Sequence, residues 1–294
     1  MTSLRFPVQR STSDAFLGCW LVTEYVFDDD GALVGCNHQQ RLLEQAGDGR
    51  VRVTQLCQPD ARLSAHPMAA FAGEWTFHLE IDGRTRRYHG PDVLGSAASW
   101  GESAMTGRGV WPRFGYNFAS WSAILAPDRQ LTGGRFYSAG RCVAHLIGVG
   151  RLIGAEHKLL VEEPGFPALN LAGWPAGLAG VWCGSRTRFD ANGACLGEEP
   201  VTRSYTPDGW HEGEWRVVCQ AVGARWRVNG PGFQGIARRV GPALELEGAL
   251  TNGACISVLE IVDAEAQMLI GIHRVVECEQ LQRVAIIRLA PNAA

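Results

Sequence analysis

One stretch occurs twice in this chain, and that repetition constrains the fold more than any single motif. Gly73-Glu74-Trp75, Gly83 and Gly90-Pro91 return as Gly213-Glu214-Trp215, Gly223 and Gly230-Pro231, with the same glycine spacings of ten and seven. An upstream block is duplicated as well. Gly18-Cys19-Trp20, Phe27-Asp28, Gly31-Ala32 and Gly35 match Gly180-Val181-Trp182, Phe189-Asp190, Gly193-Ala194 and Gly197, each 162 residues later. Repeats in a fixed order imply two copies of one module. The 294 residues leave room for two domains of about 100–200 residues each.

The pattern within each copy is that of a β protein. Gly18–Phe27 is rich in β-branched and aromatic residues, which suit a strand. Asp28-Asp29-Asp30-Gly31 then offers turn chemistry, and Asp190-Ala191-Asn192-Gly193 does so at the same place in the second copy. Short strand-like runs separated by such turns, every 8–12 residues or so, point to an all-β sandwich or barrel. A short helix is expected near 96–105. The expected organisation is an N-terminal arm over 1–15, a first module over 16–162, a proline-containing linker over 163–177 and a second module over 178–294. Between the shared glycines, Gly35 to Gly73 and Gly197 to Gly213, the first module has 37 residues and the second 15. The surplus is expected to form an extra loop within 36–72, and function concentrates on such loops.

Bulk composition excludes several classes. Lys and Arg number 27 against 30 Asp and Glu, a net charge of −3, which gives no basic footprint for nucleic acid or for an anionic membrane surface. No apolar run is long enough for a membrane span. Met1–Pro7 lacks the apolar core of a signal peptide, so the expected location is cytoplasmic. The nine cysteines form no Cys-x-x-Cys pair and read as reduced structural thiols. No zinc spacing, phosphate-binding loop, dinucleotide fingerprint or nucleophile elbow is present, so no metal and no cofactor is expected. The Asp28–Gly31 run lacks the later ligands of a calcium loop and reads as a hairpin turn.

A Gly-x-Trp opening the first strand of a small all-β module, here Gly18-Cys19-Trp20 and Gly180-Val181-Trp182, resembles the calycin superfamily, which includes the lipocalins. Two such modules in tandem resemble the carotenoid-hydratase and AttH-like two-barrel group. The fold this resemblance implies is all-β: two tandem lipocalin-like antiparallel β-barrels arising from an internal duplication.

The mouth of a small barrel is a favoured ligand site. The first module has the richer lining, with Trp100, Trp111, Arg113, Phe118 and Trp121 in or beside one aromatic stretch. These side chains either receive an apolar ligand or plug the barrel. Along 74–81, alternation sets Trp75, Phe77, Leu79 and Ile81 on one face and Glu74, Thr76, His78 and Glu80 on the other, facing either water or a cavity. Glu74 returns as Glu214 and so reads as structural; Val218 replaces His78, which is specific to the first module. Acid–base candidates are His66, His78, His145, Tyr116 and Glu74, because imidazole, carboxylate and phenol can exchange protons or steady an oxyanion. Trp75, Tyr25 and Tyr137 complete the ligand-binding candidates. In the second module His273, Arg274 and Glu277 form a sparser set, and Arg186, Arg188, Arg225 and Arg227 either bind a carboxylate or form solvated faces.

Two functions follow as expectations. One is a cofactor-free enzyme performing cyclisation, isomerisation, hydration or dehydration on a hydrophobic natural-product-like molecule. The other is a carrier for a hydrophobic small ligand, with structural modules whose barrels are filled as a third reading. The expected partner is a hydrophobic small molecule, with no nucleic acid and no membrane; a homodimer is allowed.

Overall fold

A computed structural model of the chain describes residues 14–47, 49–153, 178–223, 225–263 and 265–292. It contains two closed antiparallel barrels of ten strands each. The first is built from β1 (Gly18–Phe27), β2 (Leu33–Gln45), β3 (Arg50–Pro59), β4 (Gly73–Asp82), β5 (Thr85–His89), β6 (Leu94–Trp100), β7 (Ala104–Trp111), β8 (Tyr116–Ala126), β9 (Arg129–Ser138) and β10 (Arg141–Ile153). The second is built from β11 (Gly180–Asp190), β12 (Cys195–Thr206), β13 (Gly209–Glu212), β14 (Trp215–Val222), β15 (Arg225–Gly230), β16 (Phe233–Val240), β17 (Ala243–Leu250), β18 (Cys255–Asp263), β19 (Met268–Glu277) and β20 (Gln280–Pro291). Each strand pairs with the next, and the tenth returns to the first. Among the described residues no helix is long and apolar enough to cross a membrane.

Several repeated residues of the first strand and its turn do the same physical work in both copies. Gly31 and Gly193 take φ of 80° and 81°, a left-handed conformation that side chains other than glycine rarely adopt. The carboxylate Oδ1 of Asp28 accepts from the Ala32 N–H at 2.8 Å, and that of Asp190 from the Ala194 N–H at 2.9 Å. The tryptophans that open the two first strands behave alike as well. Trp20 Nε1 donates to the Phe16 carbonyl at 3.0 Å, and Trp182 Nε1 to the Leu178 carbonyl at 2.9 Å. Each indole thus ties the start of its barrel to a carbonyl four residues upstream, and both rings are buried.

Two expectations need correction. The residues near 96–105 form no helix: Leu94–Trp100 and Ala104–Trp111 are paired strands, with Ser99 opposite Met105. The span 36–72 is not one loop. Most of it is β2 and β3, which pair from Asn37–Pro59 to Gln45–Val51. Only 60–72 connects β3 to β4, and it carries two 3-10 turns, Ala61–Leu63 and Pro67–Phe71. The second barrel has the short β13 (Gly209–Glu212) where the first has the long β3, so part of the surplus is strand and the rest lies mainly in 60–72. The linker over 163–177, and residues 1–13 of the expected arm, lie outside the described residues; Asp14–Phe16 is a 3-10 turn.

Replacing Trp182 with Phe removes the donor and leaves the buried Leu178 carbonyl unpaired. The expected loss is about 1–3 kcal/mol of stability, read from denaturant unfolding. Trp20→Phe should cost a similar amount through Phe16, and an unchanged midpoint in both variants would refute the role given to the indoles.

Candidate functional site

The first barrel encloses a cavity of about 190 Å³. Alternation along its strands decides what faces inward. On β4 Trp75, Phe77 and Leu79 are buried, while Glu74, Thr76 and His78 are exposed. One side of the cavity is apolar, with Phe71, Phe77, Trp111, Phe118 and Phe136 among its walls. The rings meet edge-on or tilted: Phe77 and Trp111 are 6.2 Å apart at 90°, and Tyr88 and Phe118 are 5.9 Å apart at 77°, as ring quadrupoles favour.

The opposite side is polar and buried. Glu24 on β1 and Asn37, Gln39 and Arg41 on β2 line it, with Gln55 from β3 and Thr132 from β9. Arg41 Nη2 donates to Glu24 Oε1 at 3.1 Å, and Gln39 Nε2 donates to Glu24 Oε2 at 2.5 Å. Arg41 Nε and Gln55 Nε2 both donate to Gln39 Oε1, at 2.6 and 2.8 Å. Arg41 Nη1 reaches Thr132 Oγ1 at 3.3 Å. Burial pushes the Glu24 carboxyl above the ordinary carboxylate range, and Arg41 only partly opposes this. Asn37 Nδ2 donates to Glu24 Oε2 at 3.4 Å, while Asn37 Oδ1 is buried with no partner. Burial also raises Tyr88, whose hydroxyl meets Ser120.

Of the residues singled out from the sequence, Trp111, Phe118 and Trp121 line the cavity. Trp75 packs behind them, 6.1 Å from Trp111, with its indole N–H donating to the Phe71 carbonyl at 2.8 Å. Tyr116 stacks on Phe71 at 6.0 Å, and Arg113 is exposed, its guanidinium 5.4 Å from the Trp75 ring. Trp100 is buried elsewhere, donating to Thr106 Oγ1 at 2.8 Å with Arg84 stacked 4.6 Å over its ring. Tyr25 alternates with cavity-lining Glu24, and burial pushes its hydroxyl up to about 12. Tyr137 lies across from Asn117 and Cys142 on its two neighbouring strands and is half-buried.

The expected acid–base set does not assemble. His78 and Glu74 sit on the exposed face of β4, because the parity that turns Phe77 inward turns them outward. His66 caps the 3-10 turn Pro67–Phe71, its Nδ1 accepting from the Met68 N–H at 3.2 Å. His145 is buried but alternates with cavity-lining Leu146, and its Nε2 lies 3.1 Å from Cys142 Sγ. Among the described residues, the titratable groups that do reach the cavity are Glu24, Arg41, Cys57 and Tyr88. Sequence reasoning missed all four. The available signal was the repeat, since the 162-residue spacing carries Arg41 onto Arg203.

Arg203 is also buried, 2% exposed, inside the second barrel. Its Nη1 donates to Glu260 Oε1 at 2.6 Å and to the Tyr205 hydroxyl at 2.9 Å, and its Nη2 to Glu212 Oε2 at 3.0 Å. His273 Nε2 lies 2.9 Å from Glu260 Oε1. Trp210 presents its ring 5.5 Å from the same guanidinium. Burial alone would raise Glu260, but Arg203 and His273 hold its carboxyl at about 2. Arg186, one of the sequence candidates, is satisfied by Glu199 at 3.0 Å and by Glu212. Arg188 pairs with the same Glu199 at 3.0 Å. These groups answer one another, and the interior they share with Val201, Leu244, Leu246 and Leu269 is a packed core.

Solved structures show what this arrangement resembles. A DUF3598-family protein of unknown function from Nostoc punctiforme matches with a TM-score of 0.59 at 13% identity, over 97% of this chain and 100% of that one. An S-type phycobiliprotein lyase from Guillardia theta matches at 0.37 and 9% identity, over 50% of this chain and 92% of its own. A redesigned β-barrel bound to DFHBI, mFAP1, matches at 0.28 and 13% identity, over 48% and 99%. No protein-family model matches the sequence, and no curated protein does either. The fold is a tandem of two closed ten-strand antiparallel barrels, and the likeness to the Nostoc protein is one of fold.

Glu260 has a folded pKa below its ordinary value of 4.5. Its contribution to stability is present above that value and lost as pH falls towards 2. Glu260→Gln should flatten the acid limb of the stability–pH curve over this window. At neutral pH it should cost about 3–5 kcal/mol, the scale for breaking a buried ion pair. Urea titrations at several pH values read both effects, and an unchanged acid limb would remove Glu260 from the account.

Proposed function

We propose that the first barrel is a ligand-handling barrel for a small hydrophobic molecule with one or two rings. The observation that carries this reading is the cavity, aromatic on one side and lined by a buried polar network on the other. Its volume of about 190 Å³ sets the size of the ligand, since a protein cavity of about 150 Å³ holds benzene. The polar wall orients what the aromatic wall retains, and Asn37 Oδ1 offers an acceptor without a partner.

The neutral probe 2-naphthamide, titrated against tryptophan fluorescence, should bind the wild-type protein with a micromolar Kd. Met105 lines the cavity. Met105→Trp fills space there without removing a polar group, so it should weaken binding at least tenfold while leaving Tm within a few degrees. Failure of the wild type to bind, or equal binding by the filled variant, would overturn the reading.

A second reading, acid–base chemistry on the bound molecule, is favoured by Glu24. It lines the cavity, and its carboxyl is raised towards the range in which it can both give and take a proton. This keeps the enzyme class of cyclisation, isomerisation, hydration or dehydration while replacing its residues. For any molecule that co-purifies and turns over, Glu24→Gln should lower turnover at least about 100-fold with binding altered by no more than a few-fold. Product analysis by mass spectrometry checks this, and retained turnover would exclude Glu24.

A further inference from the structure

Arg86 is a buried guanidinium that none of the interactions described above uses. It stands on β5 at the same parity as cavity-lining Tyr88, with Ile81 opposite on β4 and Ala97 opposite on β6, and it is 3% exposed. Its Nη1 donates to Ser99 Oγ. Its Nη2 is buried with no partner. The Phe16 ring, itself a wall of the cavity, lies 5.8 Å from Arg86 Cζ. On the next strand, Ser99 pairs with Met105 and Ala97 with Gly107, and both Met105 and Gly107 line the cavity. Arg86 does not itself line the cavity; it lies one inward position from Tyr88 and against Phe16, directly behind the wall that Phe16, Tyr88, Met105 and Gly107 form.

Two other interior arginines each face a carboxylate: the partly buried Arg41 meets Glu24, and the buried Arg203 meets Glu260 and Glu212. Among the described residues no carboxylate pairs with Arg86. A buried charge without a counter-charge is strongly disfavoured, and an unpaired donor adds to that cost. A group retained under those conditions gains its partner from something that enters the barrel.

We propose that Arg86 is the anion subsite of this cavity, and that the ligand is a ring-bearing apolar molecule carrying a carboxylate. The inference rests on the reading of the first barrel as a ligand-handling barrel. A carboxylate fits better than a phosphate. The planar guanidinium fork matches its two oxygens, and a phosphate would need donors beyond Arg86 Nη2, whereas Arg41 is already committed to Glu24, Gln39 and Thr132. The rings then lie against Phe77, Trp111 and Phe118, and the carboxylate lies at the Phe16 end.

The test compares 2-naphthoate with 2-naphthamide, two probes of one shape that differ in charge. By fluorescence titration at pH 7, the wild-type protein should bind the naphthoate at least tenfold more tightly. Arg86→Met should abolish that preference, weakening the naphthoate at least tenfold more than the naphthamide. Arg86→Lys, which keeps the charge and loses the fork, should retain a reduced preference. It also serves as the reporter if the methionine variant fails to fold. Without ligand, Arg86→Met should melt no lower than the wild type, since it removes an unpaired buried charge. Equal affinities for the two probes in the wild type, or an undiminished preference in both variants, would overturn the assignment while leaving the cavity reading intact. If neither probe binds the wild type, both fall.

Discussion

The closure of each sheet on its own first strand is the constraint from which the rest follows. The first strand of each barrel bonds to both the second and the tenth, so neither barrel presents a free edge. Closure also fixes, for every strand, which alternate side chains share one interior. The tryptophan that opens each first strand holds the start of the ring to a carbonyl four residues upstream. Whether the interior is hollow or filled then depends chiefly on the inward-facing residues, because the two barrels share strand number and strand order.

The two copies made opposite choices at that level. Both keep an interior arginine at the equivalent position, the partly buried Arg41 and the fully buried Arg203. In the first barrel its carboxylate partner is on the first strand, Glu24; in the second that position holds Arg186, and the carboxylates are Glu260 on β18 and Glu212 on β13. The first barrel lines β8 and β9 with Ser120, Ser122, Gln130, Thr132 and Gly133, which leave room. In the second, the corresponding later strands turn Val258 and Leu269 into the core. A duplicated interior charge is neutralised in both copies, by carboxylates on different strands.

The fold was legible where two signals coincided: period-2 alternation, as in Trp75, Phe77 and Leu79, and a repeated glycine at a turn, as in Gly31 and Gly193. It was illegible over 94–111. There Gly, Ser and Ala dilute the alternation, and the strands are set by pairing with their neighbours, such as Gly107 against Ser120. The aromatic half of the cavity was legible through Trp111, Phe118 and Trp121. The polar half was not, since Asn37, Gln39 and Arg41 on one face of a strand look like a solvated surface until closure turns that face inward. The histidines misled for a related reason. Imidazole draws attention by its chemistry, yet the parity that buries Phe77 had already placed His78 outside.

The length asymmetry between the copies was read as a place for chemistry, and the structure gives it another role. The segment after β3 brings Phe71 to within 5.3 Å of both Trp111 and Phe136 and 4.6 Å of Phe114. Its buried Met68 and Phe71 line the cavity beneath. The repeated tryptophans record the consequence. Trp75, under this segment, is 9% exposed, whereas its counterpart Trp215, in the copy that lacks the segment, is 57% exposed. A covering is of use only over an interior with something to cover. The barrel that carries the extra segment is also the one whose inward positions are small and polar enough to leave a cavity, so the insertion and the hollow interior are two parts of one specialisation.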